Sequence, residues 1–191
     1  MEQIRAFIAI ELPDELKVKL RQLEAGWPAR RATWLKWVNP DSIHLTLKFL
    51  GNILAGRTDE ILLAMEGATR EVPSFQLEVK DLGVFPNPKR VQVAWVGISG
   101  EIDKLGPLQQ NLESNLALLG FAPETRPFTP HLTLARVRNQ ASPAEQQKFG
   151  ELITGTRFEA GIIKVTAISL MRSQLTRAGA IYSRIGSAKL S

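Results

Sequence analysis

The stretch HLTLKFLG at residues 44–51 and the stretch HLTLAR at residues 131–136 begin with the same four residues. The chain contains only two histidines, and each heads one copy of this tetrapeptide, as His44 and His131. Successive side chains of a β-strand point to opposite faces. We therefore expect each copy, as a strand, to turn its histidine and threonine one way and its two leucines the other. Each strand would then bury leucines and present an imidazole beside a hydroxyl.

The rest of the chain predicts strands and helices in an order that the second half repeats. Apolar or alternating runs predict the strands, and apolar residues three and four apart predict the helices. Proline, glycine and a Ser-Pro-Ala-Glu capping box mark turns and helix ends. Strands are expected at 4–12, 75–85, 90–98, 126–137, 157–173 and 180–186, with helices that start near residues 13, 58, 104 and 142.

Residues 34–51 predict a hairpin. Asn39-Pro40-Asp41 is a turn signal between two apolar runs, and the second run carries His44. Such short turns favour antiparallel pairing, so the predicted class is α+β. If the two similar halves pack about a pseudo-twofold axis, both His-x-Thr faces meet in one cleft.

Composition sets limits on the class of protein. The chain of 191 residues carries a net charge of +5, which suits an anionic partner such as RNA without establishing one. It has no cysteine, so it can form neither a disulfide nor a thiolate metal site, and this fits a reducing cytoplasm. No apolar run is long enough to cross a bilayer, and the N-terminal stretch lacks the features of a secretion signal.

Displacement at phosphorus gives a chemical reason for two histidines. A base must activate the attacking oxygen, and an acid must protonate the leaving oxygen on the opposite side. Histidine suits both roles because its ordinary pKa, roughly 6.5, makes both protonation states accessible near neutral pH. Thr46 and Thr133 can donate hydrogen bonds to the non-bridging oxygens, where charge grows in the transition state. Two matching motifs do not by themselves say which histidine is acid and which is base.

Other standard constellations are missing from the sequence. A catalytic zinc site needs three protein ligands, usually closely spaced, whereas here two histidines lie far apart with no carboxylate in either motif. There is no glycine-rich loop with the Gly-Lys-Ser/Thr ending that binds nucleoside triphosphates, and no Gly-x-Ser-x-Gly nucleophile motif. We therefore expect an enzyme without a metal or a cofactor.

The chain resembles the 2H phosphoesterase superfamily, which carries paired His-x-Thr-x motifs. The resemblance is greatest to its bacterial and archaeal RNA 2′,3′-cyclic phosphodiesterases, also called 2′-5′ RNA ligases. It spans nearly the whole sequence: RAFIAIELP (5–13), HLTLKFLG (44–51), VFPNPKRVQVAWVGI (84–98) and FTPHLTLAR (128–136). It implies one bilobal domain over residues 1–191, with two antiparallel sheets, helices outside and a central cleft.

The resemblance also implies roles for individual residues. His44 would be the proton donor to the departing 3′ oxygen, and His131 the proton acceptor that activates water. Thr46 and Thr133 would hold the phosphate, and the product would be a 2′-phosphomonoester. The implied substrate is an RNA end, such as that of a tRNA fragment, acted on by a cytoplasmic monomer without a membrane partner. Arg136 matches an arginine that follows the second motif, but on a regular strand it would face away from His131 unless the strand bends.

Two alternatives remain open at this stage. The chain could be a 2H phosphodiesterase acting on another cyclic phosphate, such as ADP-ribose 1″,2″-cyclic phosphate, or it could work as a ligase. It could instead be a non-catalytic RNA-binding module, although such a module has no use for two matched imidazoles. Hydrolysis of a cyclic phosphate end in the presence of EDTA would separate the enzymes from the binder.

Several other residues are left undecided by the sequence. The run WPARRATWLKWV (27–38) mixes tryptophans with Arg30, Arg31 and Lys36, which favours either RNA stacking or ordinary packing with solvated charges. The family pattern places Arg5, Phe7 and Lys48 near the site, but core or surface roles would explain them equally well. Tyr182, the only tyrosine, could be a core residue or a substrate contact.

Overall fold

The computed structural model describes residues 1–191, which form nine strands and four α-helices. The strands are β1 (Gln3–Glu11), β2 (Leu35–Trp37), β3 (His44–Leu54), β4 (Phe75–Asn87), β5 (Arg90–Gly100), β6 (His131–Val137), β7 (Glu159–Val165), β8 (Ala167–Thr176) and β9 (Gly179–Lys189). The helices are α1 (Asp14–Ala25), α2 (Thr58–Thr69), α3 (Ile102–Leu118) and α4 (Pro143–Gly155). Three short 3-10 turns connect these elements at Pro28–Arg31, Pro40–Ser42 and Ala55–Arg57.

The strands make two sheets in which every paired neighbour is antiparallel. One sheet has four strands in the order β3-β1-β8-β9, and the other has five in the order β2-β6-β5-β4-β7. Helix α2 packs on α3 and on β8 and β9, whereas α4 packs on β4 and β5. The predicted α+β class, with two antiparallel sheets, is confirmed.

The predicted hairpin over residues 34–51 is wrong. Strand β2 pairs with β6, with Trp37 opposite Ala135, whereas β3 pairs with β1 in the other sheet. Asn39 ends the first segment, and its side chain accepts a hydrogen bond from the Asp41 amide at 3.0 Å. This turn redirects the chain between sheets instead of folding it back on itself, because the partner of each strand comes from a distant part of the sequence.

Residues 157–173 do not form the single strand predicted for them. The run divides at Thr166, where β7 of the five-stranded sheet ends and β8 of the four-stranded sheet begins. Both strands are rich in buried apolar residues, and one unpaired residue in a continuous apolar run leaves no signal in the hydrophobic pattern.

Each sheet combines strands from both halves of the chain. The first half runs β1, α1, β2, β3, α2, β4, and the second runs β5, α3, β6, α4 and then β7 to β9. Strand β4 pairs with β5 of the second half, and β8 pairs with β1 of the first half. Strands β2 and β4 of the first half thus lie in the five-stranded sheet, and β8 and β9 of the second half lie in the four-stranded sheet, so the halves cannot be separated as two sequential lobes.

The helices follow the expected patterns. Four leucines spaced three or four residues apart on α3 are buried: Leu105, Leu108, Leu112 and Leu116. On α4 the predicted capping box is present: Ser142 and Glu145 each accept a hydrogen bond from the other's backbone amide, at 3.2 and 2.7 Å. No helix of the structure combines the length and the apolar character needed to span a membrane.

Glu24, in the last turn of α1, is an unusual buried acid. The residue is 1 % exposed, neither carboxylate oxygen has a hydrogen-bond partner, and Arg30 Nε lies 3.9 Å away. Burial raises the pKa of Glu24 from an ordinary 4.5 to about 7, against the charges of Arg30 and Arg21, which lower it. Between about pH 4.5 and pH 7, Glu24 therefore stays protonated in the folded protein but is ionised in the unfolded chain.

We expect Glu24→Gln to stabilise the protein above pH 7 and to leave it unchanged near pH 4.5. Between these values the unfolded chain binds fewer protons, so the free energy of unfolding falls as pH rises through the window. The loss is at most about 3 kcal/mol for a shift of this size. Urea denaturation at pH 4.5, 6 and 8 would measure it, with Glu15→Gln on the same helix as an exposed control. A wild-type curve that is flat across the window would contradict this account.

Candidate active site

The two motif strands lie against each other although they belong to different sheets. Their leucines are at most 4 % exposed and share a single hydrophobic core: Leu45, Leu47, Leu132 and Leu134. Their histidines and threonines are only partly buried, on the opposite faces of the strands. The alternation predicted for the two motifs is therefore present in both strands.

Both strands carry a β-bulge at the same position of the motif. Thr46 and Lys48 pair with consecutive residues of β1, so Leu47 is the extra residue. Thr133 and Ala135 pair with consecutive residues of β5, so Leu134 is the extra residue. Because a bulge puts two successive side chains on one face, the seven residues from each histidine share one pattern of exposure.

The bulge decides which way Arg136 faces. Arg136 pairs with Val93 and Thr133 pairs with Trp95, two residues apart on β5, so both lie on the face of His131. The bulge in β6 is the irregularity that Arg136 needs in order to face the same way as His131. The equivalent residue of β3 is Phe49, which pairs with Phe7 and is 68 % exposed. One motif face thus ends in a cation and the other in an aromatic ring.

His44 is enclosed by two aromatic rings. Its imidazole stacks on Phe7 with ring centres 4.5 Å apart, and the ring of Tyr182 meets it edge-on at 5.1 Å. Phe7 and Tyr182 also contact each other at 5.1 Å. Phe7 and Tyr182, which the sequence left undecided, thus both contact His44. Arg5, two residues before Phe7 on the same strand, is exposed.

Enclosure changes the acidity of His44. Burial lowers the pKa of His44 below its ordinary 6.5, while the hydrogen bond with the Ser42 carbonyl and the charge of Glu11 act in the opposite direction. The net effect disfavours the imidazolium form in the free protein. A proton held by this ring is therefore easier to give away than one on an exposed histidine.

His131 stands in a different aromatic environment. The ring of Phe85 meets it edge-on at 5.1 Å, and Trp95 lies 5.2 Å from Phe85, between ring centres. Trp95 lies flat on the sheet because Gly83 has no side chain: a Cβ atom there would sit 2.2 Å from the indole. This arrangement places an indole directly opposite Thr133 in the strand ladder.

The two imidazoles are oriented by the same backbone contact. Nδ1 of His44 lies 2.7 Å from the carbonyl oxygen of Ser42, and Nδ1 of His131 lies 2.7 Å from that of Thr129. A carbonyl oxygen only accepts hydrogen bonds, so Nδ1 must carry the proton in each neutral ring. Both histidines therefore present Nε2 for proton transfer.

Glu11 is a site residue that the sequence reasoning missed. It pairs with His44 across β1 and β3, and its Oε2 accepts hydrogen bonds from Ser169 and Arg184, both at 2.7 Å. Burial acts to raise the pKa of Glu11, but these hydrogen bonds outweigh it, so its pKa lies below the ordinary 4.5. The one signal in the sequence was a charged residue interrupting the apolar run IRAFIAIEL.

Comparison with known proteins agrees with this repeated architecture. The family described as LigT like Phosphoesterase matches the chain twice, over residues 10–95 and over residues 96–182. The chain belongs to this family. Each match contains one His-x-Thr motif, so the LigT-like repeat coincides with the repeat seen in the sequence.

Individual relatives extend the likeness over the full length. The RNA 2′,3′-cyclic phosphodiesterase of Methanothermobacter thermautotrophicus is 34 % identical over 95 % of this chain and 96 % of its own. The crystal structure of TT0787 from Thermus thermophilus superposes with a TM-score of 0.79 and 25 % identity, covering 98 % of both chains. The crystal structure of Escherichia coli LigT complexed with 3′-AMP superposes with a TM-score of 0.76 and 28 % identity, covering 100 % of this chain and 99 % of that one.

Lys48 lies behind the LigT-like site instead of in it, because the bulge turns it into the core. Its Nζ donates to the Glu113 carboxylate of α3 at 2.8 Å and to the Ala122 carbonyl at 2.7 Å. Glu113 also accepts from the Glu124 amide at 3.3 Å. The buried lysine thus ties the first motif strand to the loop that leads into the second motif.

The tryptophans of residues 27–38 pack as structural residues. Trp27 is buried, and Trp34 and Trp37 meet Phe149 of α4 edge-on, with ring centres 5.8 and 6.1 Å apart. Arg30 lies over the Trp37 ring at 5.5 Å. The packing alternative therefore accounts for the three rings of this run.

We expect His44 to titrate below 6.5, and Phe7→Ala to raise its pKa, because removal of the stacked ring readmits water. With only two histidines in the chain, an NMR titration gives two imidazole curves, and His131→Ala assigns them. Phe85→Ala is the matched control, since Phe85 contacts His131 and should leave the His44 curve in place. A wild-type His44 pKa at or above 6.5 would rule out desolvation as the dominant cause.

We expect Lys48→Met to lower the free energy of unfolding by about 3–5 kcal/mol, because it leaves the Glu113 carboxylate uncompensated. The double variant Lys48→Met/Glu113→Leu should lose less than the single one. Lys36→Met on β2, an exposed position, should stay within about 0.5 kcal/mol of wild type. Denaturant titration measures all three, and a double variant that loses more than Lys48→Met alone would contradict the uncompensated carboxylate as the cause of the loss.

Proposed function

We propose that this LigT-like phosphoesterase hydrolyses RNA 2′,3′-cyclic phosphate ends to 2′-phosphomonoesters by paired-histidine acid–base catalysis. The observation that carries the proposal is the duplicated presentation of Nε2, with each imidazole fixed by a backbone carbonyl beside a threonine on adjacent strands. The name of the Methanothermobacter relative and the 3′-AMP bound to Escherichia coli LigT support an RNA-derived substrate.

The reaction needs one proton to be taken and one to be given. Nε2 of His131 accepts a proton from water as the water oxygen attacks phosphorus. The bond from phosphorus to O3′ breaks on the opposite side, and protonated His44 delivers its Nε2 proton to O3′. The phosphate remains on O2′, and proton exchange with solvent resets both rings.

The low pKa of His44 fits the role of the acid. Desolvation makes its imidazolium less abundant at neutral pH, but it also makes that imidazolium a stronger proton donor to the departing alkoxide. The charge of Glu11, acting to raise the pKa, keeps the protonated form within reach. Acidic and basic roles are thus divided between a more enclosed and a more open histidine.

Thr46, Thr133 and Arg136 supply the groups that stabilise the transition state. Negative charge grows on the non-bridging oxygens as the two axial bonds exchange. The hydroxyls share faces with the two imidazoles and donate to these oxygens, and Arg136 adds a positive charge on the side of His131.

Ligation uses the same groups. A 5′-hydroxyl of a second RNA takes the place of water, His131 accepts its proton, and O3′ leaves with the proton of His44. The product is a 2′-5′ linkage, so the reaction taken depends on which nucleophile occupies the site.

We expect His44→Ala and His131→Ala each to slow opening of a cyclic phosphate end by about 10²–10⁴-fold, the usual contribution of one acid or base. The substrate is an oligonucleotide ending in a 2′,3′-cyclic phosphate, assayed in the presence of EDTA. RNA affinity, measured in parallel, should change little because neither imidazole is a principal charge. Asn111→Ala, at an exposed position of α3, serves as control.

Two outcomes would contradict the proposal. Wild-type protein that binds the oligonucleotide but leaves its end intact would be a binding module. Variants that keep the wild-type rate would show that the histidines are not the proton-transfer groups.

A further inference from the structure

A polar cavity of about 190 Å³ lies beside the candidate active site, on the four-stranded sheet. It opens where β1 ends, where β7 gives way to β8, and where β9 passes. Its polar lining consists of Glu11, Lys164, Thr166, Ser169, Arg184 and Ser187. Apart from Glu11, none of these residues has a part in the proposed acid–base mechanism.

The charges around the cavity suit an anion. The side chain of Lys164 forms no ion pair and no hydrogen bond in the structure, and Arg184 contacts Glu11 only through its Nε. The one carboxylate is already engaged, because Oε2 of Glu11 accepts from both Arg184 and Ser169. The Arg184 Nη groups and the Lys164 amine therefore remain available for charge-assisted hydrogen bonds.

The hydroxyl groups extend this donor set. Thr166 and Ser187 are exposed, and neither side chain makes a hydrogen bond within the protein. Two free hydroxyls beside an ammonium and a guanidinium form a group of donors such as phosphate oxygens require.

The cavity lies next to His44 on the four-stranded sheet. Glu11, in the cavity wall, is the cross-strand partner of His44, and side chains of such partners start about 5 Å apart. Two residues before Glu11 on β1, Ala9 pairs with Thr46 on one side and with Ser169 on the other, and Ser169 pairs with Ser187. Thr46 of the motif and these two cavity serines therefore lie on the same face of the sheet.

The size of the cavity limits what it can hold. Sites for whole small-molecule ligands have volumes of roughly 300–1,000 Å³. A cavity of about 190 Å³ is too small for a nucleotide. It has room for one phosphate group of a molecule whose remainder lies outside it.

We propose that this cavity binds the phosphate on the 5′ side of the nucleotide whose cyclic phosphate is opened. The inference rests on the proposed function: if His44 protonates O3′, the ribose lies on the His44 side of phosphorus. The 5′ phosphate then lies one sugar away, toward Glu11 and the cavity. In an RNA chain this group is the last phosphodiester, so the subsite favours a polynucleotide end over a nucleoside cyclic phosphate.

Binding of two product-like nucleotides tests the subsite without turnover. Calorimetry compares adenosine 2′-monophosphate with adenosine 2′,5′-bisphosphate, which differ only in the 5′ phosphate. We expect wild type to bind the bisphosphate about tenfold more tightly, the usual scale of one charge-assisted hydrogen bond. Lys164→Gln should remove most of this difference. Lys148→Gln on α4 makes the same change of charge away from the cavity and should retain it.

Four results would overturn the subsite. Wild type could bind both nucleotides equally, or fail to bind the bisphosphate. Lys164→Gln could keep the full preference. It could also weaken both nucleotides by the same factor, which is the signature of a general positive field instead of a local contact.

Turnover separates this inference from the proposed function. Hydrolysis of adenosine 2′,3′-cyclic phosphate without any preference for its 5′-phosphorylated form supports the enzyme and removes the subsite. A Lys164-dependent binding preference in a protein that opens neither compound retains the subsite and removes the enzyme.

Discussion

Four buried leucines on the backs of β3 and β6 hold the two imidazoles in position. A strand that buries alternate side chains has no freedom to rotate about its axis, because a half-turn would expose the leucines to water and bury histidine and threonine. Both strands press their leucines into one core, so the two His-x-Thr faces are fixed relative to each other. The site thus derives its rigidity from apolar packing behind it, and its polar groups are left free for a ligand.

The bulge in each motif refines this arrangement. At Leu47 and at Leu134 the alternation is reset by one residue, so the side chain five positions after each histidine returns to the histidine's face. The reset also turns Lys48 inward, where its amine reaches Glu113 and the loop before the second motif. A local irregularity therefore serves both the site and the connection between the two halves.

The sequence contained enough information for the motif strands, the four helices and the class of fold, because each depends on local periodicity. It did not contain enough for residues 34–51 and 157–173, where the chain changes sheets. Which sheet receives a strand depends on distant partners, and an apolar run looks the same in either sheet. Tyr182 and Glu11 come to His44 from other strands, so only the assembled sheet shows that they surround it. The direction of the Arg136 side chain depends on the bulge at Leu134. The hydrogen-bond register of β5 and β6 shows this bulge, whereas the alternation of apolar and polar residues in the sequence does not.

Because β2 and β4 join the sheet of the second half, and β8 and β9 join the sheet of the first half, the chain has the topology of a strand-swapped dimer whose subunits have been joined end to end. In a true homodimer, every substitution appears on both sides of the symmetry axis at once. In a single chain that contains both copies, a substitution changes only one of them, so the two sides of the site can carry different side chains. Phe49 and Arg136 occupy equivalent places yet differ in kind, as do the aromatic neighbours of the two histidines. Such a difference between the two sides suits the proposed reaction, in which the incoming and the outgoing groups are unlike.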